Sequence, residues 1–264
     1  MMISKKPIFT GLGPNITARD TSKALAFLFF PWKWGKIQKG DAPNRIEEKI
    51  RKYFNTDAVV FDSGRSALQF SLQALGVVEG DEVLVQAYTC VVVINAIQWA
   101  GATPVFVDIG DDLNMNVKNL EKKITSRSKV ILLQHTFGNP ADVEAIIQLA
   151  KKYSLKTIED CAHSLGATYK NKKLGTWADV GMLSFGSDKI ISCVRGGAAI
   201  TSDQEIAQNL RSFQTKLPSG SVIKTLQHLV QYPLFSFTKP LYNFGVGKWI
   251  LALSKQFNIL YKII

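Results

Sequence analysis

The sequence predicts an α/β fold in which a mostly parallel sheet lies between layers of helices. Two observations support this prediction. Short, continuously apolar segments alternate with segments of helical spacing, and no internal repeat or low-complexity stretch interrupts them. Strands buried on both faces are typically apolar throughout, and helices are the usual connections between parallel strands. The hydrophobic content of 46% in 264 residues is ordinary for a globular protein and predicts a substantial core.

The predicted elements follow one another from residue 58 to about residue 203. Apolar runs predict strands at 58–61, 82–88, 103–109, 129–135 and 156–160. Amphipathic spacing predicts helices between them at 66–75, 91–100, 117–124 and 142–153. After Gly175 the pattern changes to short strands at 180–185 and 197–201, and a further helix begins near Asp203.

Both ends of the chain are basic and apolar, unlike the middle. Residues 1–56 hold eleven Lys/Arg and four Asp/Glu, and residues 206–264 hold seven Lys/Arg and no acidic residue, within a net charge of +11. A basic protein is a candidate for nucleic-acid binding. Here the basic residues are mixed with large apolar side chains, so we expect no nucleic-acid partner.

The apolar segments of the two ends are too short to cross a bilayer. Ala24–Trp32 has no small-residue cleavage signature and predicts neither a signal peptide nor a spanning helix. Residues 222–264 contain no uninterrupted run near the roughly 20 apolar residues that a spanning helix needs. Two interpretations of this basic, apolar and helical segment stay open: core-packing helices of a second domain, or an amphipathic segment at an anionic membrane surface.

The cysteine pattern predicts neither disulfides nor a metal site. Cys90, Cys161 and Cys193 are far apart, and no CxxC pair is present. This pattern argues against a disulfide framework and against zinc, and it is typical of a protein in a reducing cytoplasm. We therefore expect a cytoplasmic chain, with the inner face of the membrane as an open possibility.

Three polar turns are expected to meet at one edge of the predicted sheet. The first is residues 62–66, where a strand passes into a helix and backbone N–H groups can bind an anion. The second is residues 158–167, where an apolar strand ends in two carboxylates and a histidine follows. The third is residues 183–189, which bring a lysine into a turn ahead of a Gly-Gly hairpin. Ligands of open α/β sheets bind where strand carboxyl ends gather.

This set of side chains suits the chemistry of pyridoxal 5'-phosphate (PLP). PLP needs a lysine amine for its aldehyde, a carboxylate against its pyridine nitrogen and a cradle for its phosphate. Lys189, Asp160, Ser184 and the turn at 63–65 fit these roles. Taken singly, an aspartate at a strand end is more often a helix cap and a lysine is more often solvated. The order and context of the residues carry the interpretation.

Taken in order, the motifs resemble the DegT/StrS family of fold-type-I PLP aminotransferases, which act on nucleotide-linked keto-sugars. The resemblance covers about residues 40–213. It implies an N-terminal arm at 1–40, a PLP-binding large domain at 41–213, and at 214–264 either the start of a truncated C-terminal region or an interfacial helical segment. The motifs are SGRSAL (63–68), GATPVFVD (101–108), GNPAD (138–142), EDCAHSLGA (159–167) and SF with Lys189 and GGA (196–198).

The resemblance implies roles for three residues near the reacting part of the cofactor. Lys189 would be the Schiff-base lysine, Asp160 the partner of the pyridinium nitrogen, and His163 a neighbour of the 3-hydroxyl. A related branch performs sugar deoxygenation with histidine in the lysine position, so Lys189 favours transamination. The implied reaction takes an amino group from an amino acid, with glutamate expected, and transfers it to a nucleotide-linked keto-sugar for surface polysaccharide or glycan biosynthesis. A homodimer is expected by the same resemblance.

The remaining site residues include two departures from the family pattern. Backbone N–H groups of Gly64 and Arg65 and the hydroxyl of Ser184 take the phosphate-binding places, although Thr or Ser is usual where Arg65 stands. Cys90 stands where the family commonly has an aromatic stacked on the cofactor ring. Its sulfur could touch the ring face, or Tyr88 could reach it.

Two other functions were weighed. The chain ends at Ile264 without an obvious equivalent of the family's smaller closing domain, which leaves a non-catalytic PLP-fold protein, a regulator or membrane-associated partner, as an alternative. A Rossmann oxidoreductase is a weak alternative, because Gly11-Leu-Gly13 lacks the third glycine of the fingerprint and follows no convincing strand.

Overall fold

The computed structural model describes residues 15–256, and Gly11-Leu-Gly13 therefore lies outside the described residues. The chain forms two compact units. The first unit is made of Met1–Ala42, as far as it is described, Gly186–Arg195 and the described part of Pro218–Ile264. The second unit is made of Pro43–Phe185 and Gly196–Leu217. The two chain ends, which the sequence analysis treated as separate segments, thus belong to one unit.

A seven-stranded sheet forms the centre of the second unit. Its strand order is β1-β9-β8-β5-β4-β2-β3, and β9 alone runs antiparallel to its neighbours. The mostly parallel sheet predicted from the sequence is confirmed. Its strands are β1 Asp57–Phe61, β2 Glu82–Gln86, β3 Thr103–Val107, β4 Ser128–Gln134, β5 Lys156–Asp160, β8 Val180–Ser184 and β9 Gly197–Thr201; a separate two-stranded ribbon is formed by β6 Thr168–Tyr169 and β7 Lys172–Lys173.

Helices cover both faces of this sheet. The helices of the second unit are α3 Ala42–Phe54, α4 Gly64–Ala74, α5 Val91–Trp99, α6 Val117–Lys123, α7 Val143–Lys152 and α8 Gln204–Lys216. Alternate residues of one strand enter different apolar clusters: Leu132 packs with α4, α5 and α8, whereas Ile131 and Leu133 pack with α3, α6 and α7. This alternation follows from the two-residue period of a strand. It explains why the strands read as continuous apolar runs.

Side-chain caps begin several of these helices where the sequence places a short polar residue. Ser63 accepts from the Ser66 N–H at the start of α4, and Asp142 accepts from the Ala145 N–H at the start of α7. Asp203 accepts from two N–H groups at the start of α8. Each cap supplies an acceptor to N–H groups that have no partner inside the helix.

The regular structure of the first unit, in its described part, is helical, and its segment Gly186–Arg195 forms turns. Its helices are α1 Ala18–Phe29, α2 Gly35–Lys39, α9 Val222–Leu241 and α10 Val246–Gln256, with 3₁₀ turns at Pro31–Lys33 and Tyr242–Phe244. Thr17 and Asp20 form a reciprocal capping box at the start of α1. Within residues 15–256, the search for a helix long and apolar enough to cross a membrane found none.

Candidate active site

The candidate anion site lies where β1 passes into α4. Gly64 and Arg65 occupy the first two helical positions after the cap residue Ser63, where backbone N–H groups have no acceptor inside the helix. A β-carbon on Gly64 would come within 2.9 Å of the Ser184 Oγ. Glycine is therefore required for this close approach, and it brings the Ser184 hydroxyl beside the first turn of α4. The two predicted phosphate-binding segments, distant in sequence, meet at this point.

Gly197 closes the other side of the same turn. A β-carbon at Gly197 would come within 2.5 Å of the Gly64 nitrogen and of the Ser63 carbonyl group. Gly197 is also the residue that pairs with Ser184 between β8 and β9. Any larger residue would push the α4 N-terminus away from the hairpin, so glycine at position 197 is explained by backbone packing.

Arg65 directs its side chain along the surface of the second unit. Its guanidinium carbon lies 5.2 Å from the centre of the Trp99 ring, which is a cation–π distance. The exposed Trp99 also accepts a hydrogen bond from Gln69 through its carbonyl oxygen. The departure from Thr or Ser at position 65 is thereby accommodated, because the backbone of Arg65 keeps its helical place.

Asp160 is a buried carboxylate at the end of β5. Only 3% of the residue is exposed, and its Oδ1 accepts a hydrogen bond of 2.9 Å from the Ala162 N–H. Burying a carboxylate is costly unless a partner or a bound ligand compensates the charge. A buried acid at a sheet edge is the type of group that can bind the protonated nitrogen of a heterocycle.

An aromatic row lies beside this carboxylate at the same edge. The rings of Phe137 and His163 are parallel within 5°, with their centres 6.0 Å apart. Tyr88 meets Phe137 edge to face at 6.2 Å. Phe137 has a φ of 52°, an uncommon conformation for a bulky residue and one that often accompanies functional sites. Phe137 was not predicted from the sequence, and its place three residues after the end of the buried strand β4 was the available signal.

Hydrogen bonds hold the loop that carries Tyr88. The amide of the fully buried Gln86 donates to the Tyr88 carbonyl at 2.7 Å and to the Thr136 hydroxyl at 2.9 Å. Thr89 donates to Gln134 at 2.7 Å. Cys90, the next residue, is exposed and caps α5 without a side-chain hydrogen bond. The position proposed for ring stacking is therefore occupied by a small sulfur group beside an ordered tyrosine loop.

A buried polar network supports β5 just before Asp160. His135 Nδ1 accepts from the Ala141 N–H at 3.2 Å, so the proton is on Nε2, which donates to Glu159 at 2.9 Å. The second oxygen of Glu159 accepts from the Trp177 N–H. Both side chains of the pair are fully buried. The sequence analysis noted Glu159 as one of two carboxylates but gave it no role.

Cys161 completes a group of three metal-ligand types, all buried, whose ligand atoms lie within 4.8 Å of one another. Burial raises the pKa of the Cys161 thiol well above its ordinary value, and the nearby Glu159 charge adds to the effect. The His135 nitrogens and both Glu159 oxygens are already hydrogen-bonded within the protein. This geometry describes a network that orders β5.

Lys189 belongs to the first unit, whereas the six predicted cofactor-binding residues belong to the second. It lies in a turn in which its N–H donates to the Gly186 carbonyl at 3.1 Å. Its Nζ donates to Asp188 at 2.9 Å, and 14% of its side chain is exposed. The hairpin that leads to this turn is closed by the Phe185 N–H bond to Gly196.

Comparison with known proteins identifies the family. The model of the DegT/DnrJ/EryC1/StrS aminotransferase family matches residues 31–228, three quarters of the chain. The chain belongs to this family. The resemblance inferred from the ordered motifs is confirmed, and the matched range includes every site residue described above.

Individual relatives of this DegT-family chain are sugar aminotransferases. The chain is 38% identical over 203 residues to the GDP-perosamine synthase of Escherichia coli O157:H7, covering 76% of this chain and 55% of that protein. It is 37% identical over 183 residues to the dTDP-3-amino-3,4,6-trideoxy-alpha-D-glucose transaminase of Streptomyces venezuelae, covering 68% and 48%. The chain thus spans about half the length of these relatives.

A solved structure supports the fold. NtdA from Bacillus subtilis, in a structure with the bound cofactor PMP, superposes with a TM-score of 0.70 and 28% identity, covering 82% of this chain and 53% of that one. The predicted fold class, that of the PLP transferases, is confirmed.

Proposed function

We propose that this chain performs PLP-dependent transamination of a nucleotide-linked keto-sugar. The observation that carries the proposal is the meeting of Gly64 with Ser184 beside the first turn of α4, at the sheet edge where the buried Asp160 ends β5. The site combines a phosphate cradle with a buried acid, on the fold of a family whose relatives are aminotransferases. These features favour a cofactor that has a phosphate and a basic ring nitrogen.

The residues of the second unit fit PLP by their chemistry. The N–H groups of Gly64 and Arg65 and the hydroxyl of Ser184 would hold the phosphate, with a helix N-terminus as a favourable anion site. The carboxylate of Asp160 would accept a hydrogen bond from the ring nitrogen and hold it protonated. His163 would lie toward the 3-hydroxyl. When bound, PLP supplies an electron sink for the carbon atom that exchanges its proton.

Lys189 would bind the cofactor aldehyde through Nζ and act on the transferred proton. A lysine amine can serve both as the covalent anchor and as the base and acid for proton transfer. The turn at Gly186–Lys189 follows directly after Ser184, so the covalent anchor and one phosphate-binding residue are five positions apart in the chain. This spacing ties the two functions to a single hairpin.

The sugar substrate and the donor are inferred at the level of chemical class. Relatives with GDP-linked and dTDP-linked sugars in their names support a nucleotide-linked keto-sugar. We infer glutamate as the amino donor, a role in surface polysaccharide or glycan biosynthesis, and a homodimer, in agreement with the family pattern.

The decisive experiment is trapping of the cofactor on its lysine. The parent protein incubated with PLP should develop a visible absorbance band that borohydride abolishes, and peptide mapping should then find the reduced cofactor on Lys189. Lys189→Ala should show neither, whereas the exposed control Lys152→Ala should behave as the parent does. A label on another lysine, or none in the parent, would contradict the proposal.

A second measurement distinguishes catalysis from binding alone. Adding glutamate to the PLP-loaded parent should replace the visible band by that of the amino form of the cofactor, with release of 2-oxoglutarate. A protein that binds PLP on Lys189 but leaves glutamate unchanged would be the non-catalytic alternative.

A further inference from the structure

The excess positive charge of the protein lies entirely in the first unit. By sequence, its segments hold 14 Lys/Arg and 3 Asp/Glu, which equals the net charge of +11 for the whole chain. The second unit holds 18 Lys/Arg and 18 Asp/Glu and is neutral. The candidate cofactor cradle is in the neutral unit, so binding of the cofactor phosphate there does not explain the charge. A surplus of positive charge confined to one unit favours association with an anionic partner.

The packing of the first unit places large apolar side chains outside. Among its described residues, the buried ones are small or polar: Ala24, Ser187, Val194, Gln231, Pro233, Thr238, Gly247 and Ser254. By contrast, Trp32, Phe244 and Trp249 are each more than 70% exposed. Exposed aromatic area of this size is unfavourable in water and often marks an interaction surface.

The exposed apolar residues follow helical spacing. Val246, Trp249 and Leu253 in α10 are three and four residues apart, and Phe237 and Leu241 in α9 are four apart. Residues at these intervals lie on one face of a helix. Each helix therefore presents an apolar stripe.

Hydroxyl groups and a glycine lie where the helices of this unit meet. The hydroxyls of Thr21 in α1 and Ser236 in α9 are 2.6 Å apart, and those of Thr238 and Ser254 bond to carbonyls one turn earlier in their own helices. A β-carbon on Gly247 would come within 2.4 Å of the Thr238 carbonyl oxygen, so α9 and α10 approach closely there. Small residues at such a contact let two helix backbones approach closely and leave the larger apolar side chains on other faces.

Lysines accompany the exposed aromatics. Lys33 lies 5.2 Å from the Phe30 ring, and Lys248 lies 5.2 Å from the Tyr242 ring. Lys224, at the start of α9, is exposed as well. A lysine beside an aromatic ring suits the headgroup level of a bilayer, where the amine meets lipid phosphate and the ring enters the acyl boundary.

We propose that the first unit binds the surface of an anionic lipid bilayer, with α9, the turn Tyr242–Phe244 and α10 lying in the interface. Lysines contact the lipid phosphates, and Phe237, Phe244 and Trp249 insert below them. This mode is peripheral, in agreement with the result that no described helix can span a membrane. Of the two interpretations that the sequence left open, this proposal adopts the interfacial one, and it stands independently of the proposed aminotransferase function.

Vesicle flotation of the full-length chain tests the proposal. The protein should float with phosphatidylcholine vesicles that contain phosphatidylglycerol and should bind vesicles of phosphatidylcholine alone more weakly. Added salt should weaken the binding to the anionic vesicles, because the attraction is screened. A parent protein that fails to float with anionic vesicles at low salt overturns the proposal.

Two sets of variants locate the surface. Phe244→Ser/Trp249→Ser should lower the apparent vesicle affinity at least about tenfold, since two aromatics that would insert into the bilayer are lost. The control Val78→Ser/Phe106→Ser removes exposed apolar residues of the second unit and should bind as the parent does. Equal losses in both pairs, or in neither, overturn the proposal. Circular dichroism checks that each variant keeps its helix content.

A lysine variant distinguishes electrostatic attraction to the lipid phosphates from insertion of the aromatic side chains. Lys224→Gln/Lys239→Gln/Lys248→Gln should lower the affinity for anionic vesicles by about tenfold or more and leave weak binding to neutral vesicles unchanged. The control Lys122→Gln/Lys123→Gln/Lys129→Gln changes three exposed lysines of the second unit and should have no effect.

A different result is expected if the apolar stripes instead contact a second copy of the chain. The parent then does not bind vesicles, and light scattering shows that Phe244→Ser/Trp249→Ser converts an oligomer into monomers.

Discussion

The two units of this protein differ in where their large apolar side chains lie. The second unit buries its large side chains on both faces of a seven-stranded sheet and carries no net charge. Among its described residues, the first unit fully buries mainly small or polar residues and exposes several aromatics, and by sequence it carries the whole net charge. The difference shows that similar apolar content can serve either an internal core or an external contact. Burial, and not composition, distinguishes them.

The largest expected effect tests the core of the second unit against the surface of the first. Leu133→Ala removes a fully buried side chain of β4 and should lower the free energy of unfolding by about 2–5 kcal/mol. Leu241→Ala changes an exposed leucine of α9 and should cost less than about 0.5 kcal/mol. Urea unfolding without lipid measures both. Equal costs would show that the first unit also has a core.

The next largest effect concerns the buried pair of His135 and Glu159, of which Glu159 directly precedes Asp160 in the chain. Glu159→Gln places an amide where both carboxylate oxygens now accept hydrogen bonds, from His135 and from the Trp177 N–H. One donor then faces the new NH₂ group, and the expected loss is about 2 kcal/mol. If the pair positions β5, PLP affinity should also fall while Lys189 still traps the cofactor. Unchanged unfolding and unchanged PLP affinity would exclude this role.

A smaller effect depends on pH. Glu47 is buried, which raises its pKa, but hydrogen bonds from Arg211, the Val60 N–H and Gln214 outweigh burial, and the pKa is lowered from its ordinary value of 4.5. Its contribution to stability is thus complete above the ordinary value and is lost as pH falls through the lowered folded value. Glu47→Gln should cost about 1–2 kcal/mol at pH 7. The difference from the parent, by urea titration, should shrink in acid; a constant difference would contradict the assignment.

The smallest effect concerns contacts inside the first unit. Ser236→Ala removes the hydroxyl that lies 2.6 Å from the Thr21 hydroxyl between α9 and α1. The expected loss is about 1 kcal/mol or less, detected as faster amide exchange in α1. The control Ser212→Ala lies in α8 of the second unit and should leave α1 unchanged. Faster exchange throughout the second unit would indicate a wider role for Ser236.

Most of the elements could be predicted because their local signals are strong. The strand predicted at 197–201 coincides with β9, and the helix predicted at 142–153 differs from α7 by one residue at each end. The strand predicted at 82–88 ends earlier, at Gln86, because its amide turns to bond the Tyr88 carbonyl. The periodicity of a sequence shows which residues are apolar, but it does not show at which residue the hydrogen-bonded pairing of a strand ends.

The candidate site was predictable where a residue type was itself informative. Asp160, Ser184 and the turn around Gly64 follow strands that end at one edge, and a parallel sheet brings such ends together. Phe137 was not predicted, because a phenylalanine after a strand is ordinarily a core residue and its left-handed conformation leaves no mark in the sequence. The role of Glu159 depends on His135, a partner 24 residues away.

Order along the chain was sufficient to determine the alternating elements and the family, and to predict the candidate cofactor-binding residues, because each rests on short-range patterns or motifs. Contacts between distant segments decided the rest. They joined 186–195 and the described parts of 1–42 and 218–264 into one unit, and they placed Gly64 against Ser184. They also turned the apolar residues of α9 and α10 outward. An apolar stripe in a sequence indicates a helix face that must be shielded from water. Only the tertiary structure shows whether other residues of the protein shield it.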